Sequence, residues 1–171
     1  MKVILFTFCL FEMVQSAIGQ KGREALTIQW PPQYMWQIIH QQNDSNKRVL
    51  TIIPGNETIQ TASIIGNHVA YRGLALANGD ELMDSYKKNV GPGTKFTLIS
   101  RYDQAGEFWV LFKLETPKIP PYPAAESDLY YVVQGKYGVY EVHVAIKSPH
   151  LSALFIRQWS AIFLAGKLEL N

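Results

Sequence analysis

With 171 residues and 47% hydrophobic composition the chain can bury an ordinary core, since a domain of about 150 residues hides roughly 70% of its unfolded surface. Its net charge of +2 is spread along the chain with no block of lysines and arginines, which argues against a nucleic-acid or anionic-membrane surface. The one cysteine, Cys9, falls in the N-terminal apolar run, so the rest of the chain holds no disulfide, thiolate metal site or thiol nucleophile.

Residues 1–19 carry the pattern of a secretory signal peptide: Lys2 is a positive n-region, Val3–Phe11 an apolar run, and Ala17 and Gly19 are small residues ahead of a cleavage point before Gln20. The apolar run closes at Glu12 and is well short of the roughly 20 residues that span a bilayer. The expectation is export to the periplasm or medium, leaving 20–171 as a single domain without a transmembrane segment. Leu26–Trp30 is short and apolar and ends at Pro31-Pro32. Trp36–Gln42 and Arg48–Ile53, around Asn43-Asp44-Ser45-Asn46, read as a hairpin, and Thr61–Arg72 reads as a strand or hairpin around Gly66-Asn67. Asn78 or Asp80 can cap a helix with Leu82, Met83 and Tyr86 on one side and Lys87 and Lys88 in its last turn.

Lys95–Tyr102 and Glu107–Glu115 form a second predicted hairpin, followed by a connection, Thr116–Ser127, in which Pro117, Pro120, Pro121 and Pro123 bar both strand and helix. In the third, Leu129–Gln134 with Val139–Lys147, the residues Tyr140, Val142, Val144 and Ile146 alternate with Glu141, His143, Ala145 and Lys147, as in a sheet covered on one side. Ser148-Pro149 opens a predicted helix whose Leu151, Leu154, Phe155, Trp159, Ile162 and Phe163 form an apolar stripe, closed by Gly166. The fold class that follows is α+β: an antiparallel sheet of successive β-hairpins, covered on one face by the C-terminal amphipathic helix and a second, shorter helix.

The chemistry is sparse. His40, His68, His143 and His150 stand at no metal-ligand spacing, no nucleophile elbow or phosphate loop occurs, and no cofactor is implied. Glu141 and His143 are two apart on one predicted strand, so their side chains share a face and the carboxylate can orient the imidazole as a general base. A solvated sheet face accepts the same pair with no function at all. Trp30, Tyr34 and Trp36 around Pro31-Pro32, with Tyr122 and Tyr131 near the proline-rich connection, are candidate binding aromatics. The plainer role for such rings is to close the core. Sequons at Asn43 and Asn56 matter only in a eukaryotic secretory pathway. The function expected is a non-catalytic exported binding or accessory protein for a protein, peptide or small molecule, acting through an aromatic surface or a sheet edge. The alternatives are a cofactor-free hydrolase or lyase around Glu141 and His143, with Lys113 or Arg101 assisting, and a subunit of a cell-envelope assembly.

Overall fold

The computed structural model describes residues 24–104, 106–118 and 124–170; the signal-peptide reading of 1–19 and Tyr122 lie outside the described residues. The architecture is α+β and mostly antiparallel sheet. β1 (Glu24–Thr27) leads through a 3-10 turn (Pro32–Tyr34) to β2 (Gln37–Asn43), β3 (Lys47–Ile53) and β4 (Ile65–Arg72). Helix α1 (Gly79–Asn89) precedes β5 (Lys95–Gln104), β6 (Glu107–Thr116), β7 (Glu126–Gln134) and β8 (Gly138–Ile146), and α2 (Ala153–Leu164) precedes β9 (Lys167–Leu170). Seven strands form one sheet in the order β2-β3-β4-β8-β7-β6-β5, with each neighbouring pair antiparallel. β1 pairs separately with β9.

Local chemistry explains the turns. The Asp44 carboxylate accepts from the Asn46 and Lys47 amides, an Asx turn that reverses the chain between β2 and β3. Asn78 caps α1 by accepting from Glu81 N, while Glu81 reaches back to the Ala77 amide.

Strand alternation gives the sheet two distinct faces, and both are covered. Leu111, Leu129, Tyr131, Tyr140, Val142 and Val144 point to one side, against Trp159 and Phe163 of α2. Trp30, Tyr34 and Trp36 join that packing: Trp30 lies 5.3 Å from Trp36 and 5.9 Å from Trp159, centroid to centroid. The opposite side, formed by Phe108, Val110, Phe112, Val132 and Val139, meets Leu82, Met83 and Tyr86 of α1. The expectation that both helices lie on one face is therefore corrected. Helix α1, which connects β4 to β5, packs on the face carrying Glu141 and His143, and its Tyr86 covers Glu141, so the pair is buried and not solvated.

Of the two readings of Thr61–Arg72 the structure has the strand: Gly66 sits within β4, where a Cβ would stand 2.8 Å from both Ile52 and the Trp30 ring, so the glycine makes room for the indole. One smaller expectation changes. Helix α2 begins at Ala153 with Ser152, not Ser148, as its N-cap. Before it, the Ser148 hydroxyl donates to His150 O and the Leu151 amide donates to the buried Glu115 carboxylate, which holds the chain out of the helix for those residues.

Candidate functional site

The α1 face is apolar where it meets the helix and becomes polar one row further along the strands. Cross-strand register places Tyr130, His143, Asn67, Thr51 and His40 side by side on β7, β8, β4, β3 and β2. Glu141 lies on the same face of β8, next to Val69 and Val132 in the adjoining row. Helix α1 is positioned over this region by the Gly79 amide, which donates to Asp103, and by the ion pair of Asp80 with Arg101, and it sends Tyr86 down onto the sheet.

These residues form one hydrogen-bonded chain. The Tyr86 hydroxyl donates to Glu141 Oε2 at 2.6 Å, and Glu141 Oε1 stands 2.9 Å from His143 Nδ1. His143 Nε2 lies 2.9 Å from Asn67 Nδ2, and the Thr51 hydroxyl donates to Asn67 Oδ1 at 2.8 Å. With the Asn67 amide nitrogen turned to Nε2, the imidazole is neutral and bears its hydrogen on Nδ1, which donates to Glu141 while Nε2 accepts from the Asn67 amide. Tyr130 covers the imidazole with its ring, 4.3 Å away between centroids.

Burial and charge act against each other here. Burial opposes the charge on Glu141, yet the hydrogen bond and charge of His143 and the Tyr86 hydroxyl outweigh it and hold the carboxyl below the usual range. Burial likewise opposes the imidazolium, but Glu141, Asp128 and Glu126 raise His143 above its ordinary value. Tyr86 is pushed far up by burial and by the Glu141 carboxylate, so it remains a hydroxyl donor. Asp128, 8% exposed and two residues before Tyr130, receives no hydrogen bond among the described residues. Burial and the charge of Glu126 push its carboxyl up to about 7.

Towards β2 the polar row opens. A depression of about 420 Å3 lies beside the edge strand, lined by Gln37, Ile39, His40, Thr51, Ile53 and Glu57 among others. Thr51, itself only 3% exposed, belongs both to this lining and to the hydrogen-bonded chain. β2 is the outer strand on this side. Six of its seven residues are exposed, with Ile38 60% exposed and Ile39 displaced at a bulge between Ile38 and His40.

The candidates from sequence divide clearly. Glu141 and His143 are together as expected, but buried. Lys113 projects from the opposite face, where it pairs with Glu115 at 2.7 Å, and Arg101 lies three strands away paired with Asp80, so neither assists them. Trp30, Tyr34 and Trp36 are half-buried around Trp159, and Tyr131 is buried beside Phe163 and Trp109; these rings are packed into the α2 face. Tyr34 nevertheless lines a second cleft of about 510 Å3, with Ile64, Ile146, Lys147 and Phe155. Tyr86, Asn67, Thr51 and Asp128 were not singled out from sequence. A mid-strand asparagine in an otherwise β-prone segment, Ile65–Arg72, is the signal that points to a buried polar partner.

Among the described residues no three His, Cys, Asp or Glu side chains stand together to hold a metal, and no helix is long and apolar enough to cross a membrane. No protein-family model matches the chain, and no curated protein matches it.

Proposed function

We propose that the protein is an exported, non-catalytic binding or accessory protein that takes an extended segment of a partner polypeptide as an added strand along β2. The observation that carries this reading is the chemistry of that edge. Gln37-Ile38-Ile39-His40-Gln41-Gln42-Asn43 contains no lysine, arginine, aspartate or glutamate, and its outer backbone groups face no strand among the described residues. Exposed edges normally carry charges that repel a further strand, and the other edge, β5, does so with Lys95, Arg101 and Asp103. Strand addition draws affinity from the main chain and selectivity from neighbouring pockets, and the depression beside β2 is such a pocket. Export rests on Lys2, the Val3–Phe11 run and the small residues Ala17 and Gly19.

The geometry of His143 favours this over a hydrolase or lyase. A general base needs a ring nitrogen within reach of the substrate proton. Here one nitrogen is held by Glu141 and the other by Asn67, under the ring of Tyr130.

The test is selection from a library of displayed random decapeptides, followed by titration of the winners into wild type and Gln41→Lys. Gln41 is exposed, so the substitution leaves the fold intact while placing a charge on the edge. Extended peptides that bind wild type and lose at least about tenfold in affinity to the variant support strand addition. Failure to select any peptide, or equal binding by the variant, overturns it. If wild type instead forms a concentration-dependent dimer that Gln41→Lys abolishes, the edge serves self-assembly and the envelope-subunit reading replaces this one.

A further inference from the structure

The hydrogen-bonded chain behind the depression has a property that a row of independent polar residues lacks: its direction depends on one proton. With His143 neutral, the hydrogen of the Thr51 hydroxyl is committed to Asn67 Oδ1, so towards the depression that Thr51 lines it has only an oxygen lone pair to offer. When the imidazole takes a second proton, both ring nitrogens become donors, and Nε2 can no longer accept from the Asn67 amide. The amide must then turn over to present its oxygen to Nε2. This brings its NH2 against Thr51 Oγ1, which accepts, and the hydroxyl hydrogen is released towards the depression. No atom moves by more than a side-chain rotation.

We infer that Thr51 is the specificity-determining residue of the depression beside β2, and that the protonation state of His143 sets whether its hydroxyl offers the occupant a lone pair or a hydrogen. The inference rests on the reading of β2 as a binding edge and names the chemistry of the side chain received there. With His143 neutral the site takes a hydrogen-bond donor, and with His143 charged it takes an acceptor. Glu57 also lines the depression, its carboxylate held by the amide and hydroxyl of Ser63.

The groups facing the imidazole decide where the change occurs. Glu141 on its own strand, Asp128 and Glu126 on β7 and the phenols of Tyr130, Tyr86 and Tyr71 surround it, while Lys47 lies on the same face of β3 and His40 across from Thr51 on β2. The acids favour the cation and outweigh burial, so the change falls above the ordinary histidine range. Asp128, pushed up to about 7 by burial and the charge of Glu126, adds negative charge beside the ring above that pH.

The experiment uses n-butylammonium, a donor only, and N,N-dimethylacetamide, an acceptor only, as probes, followed by NMR on both sides of the His143 ring-nitrogen transition. In the free protein the Asn67 side-chain amide resonances should change with the same midpoint as the His143 nitrogens. The ratio of butylammonium to dimethylacetamide affinity should fall at least about fivefold as His143 becomes charged, the size expected for one hydrogen bond exchanged for an unmatched one. The charge on His143 alone would also repel the ammonium, so Thr51→Val is the control: it keeps that charge, and His40, but cannot relay. Loss of most of the pH dependence in Thr51→Val, with the His143 transition retained, supports the inference. An unchanged pH dependence in Thr51→Val, Asn67 resonances that ignore the transition, or no binding of either probe at either pH overturns it. Loss of peptide binding in Gln41→Lys is read separately, so the edge can fail while the relay stands, and the reverse.

Discussion

The two ends of the seven-stranded sheet are built differently. From β6 to β8 the strands are enclosed, with α1 on one face and α2 with the tryptophan cluster on the other, and the largely exposed outer strand β5 carries Lys95, Arg101 and Asp103. From β4 to β2 the cover thins on the α1 face: Tyr86 reaches Glu141, and beyond it come Asn67, Thr51, a depression and an uncharged edge. The enclosed end holds most of the buried apolar surface, and on the proposed function the open end is the one that meets a partner, with the polar row running between them. Substitutions should separate the two ends by size and by kind of effect.

The largest loss is expected at the enclosed end. Trp159 is 3% exposed and touches Trp30, Tyr34, Trp36, Phe155 and Phe163, so Trp159→Ala should cost about 3–5 kcal/mol in denaturant unfolding. A loss within the range of surface substitutions would mean that α2 is not packed as described.

The buried pair comes next. Glu141→Gln removes the charge opposite His143 and sets an amide NH2 or a carbonyl where two acceptor oxygens now serve His143 and Tyr86, at a cost of about 3 kcal/mol. A solvated pair would cost a few tenths, so the measurement discriminates sharply. The pH dependence carries its own sign. Glu141, lowered, stabilises above the ordinary carboxylate value and loses this as pH falls through its folded one. His143, raised, stabilises below about 6.5 and loses this as pH rises through its folded value. The pair therefore contributes most between roughly pH 4.5 and 6.5.

Asp128 acts in the opposite sense. Its carboxyl stays protonated in the folded protein up to about 7, whereas the unfolded chain releases that proton near 4, so the group lowers stability progressively across that interval. The stability of Asp128→Asn relative to wild type should rise from pH 4 to 7 and level off above, in unfolding curves measured at each pH. A pH-independent difference would contradict the burial that pushes that carboxyl up. At the open end Gln41→Lys should change stability by less than about 0.5 kcal/mol, since its side chain is exposed, while weakening peptide uptake.

Much of this was written into single segments. The period-two alternation of 139–147 places Glu141 and His143 on one face, and in the structure they hydrogen-bond to each other. The spacing of Leu82, Met83 and Tyr86 marks the buried side of α1, and Asn78 its cap. What local pattern does not carry is which strands become neighbours. β8 inserts beside β4, so Asn67 meets His143 across 76 residues of sequence, and only that pairing turns two polar residues into a relay. The same limit hid β9, whose four residues, Lys167–Leu170, have no pattern of their own and are ordered by pairing with β1. Trp30 needed Gly66 as its slot, and a glycine beside an asparagine reads locally as a turn. The open edge was invisible too, because its signal is the absence of charge on a strand whose outer position only the sheet order reveals.

Whether β2 is the receiving edge can be read from amide hydrogen exchange across the sheet, with and without a selected extended peptide. Strand addition predicts that alternate amides of β2 gain at least about tenfold in protection while those of β5 are unchanged, because only outward-facing N–H groups of the receiving edge acquire new partners. Protection confined to β5, or to the exposed side of α2, with β2 exchanging as in the free protein, would contradict the assignment of the open end of the sheet as the binding edge.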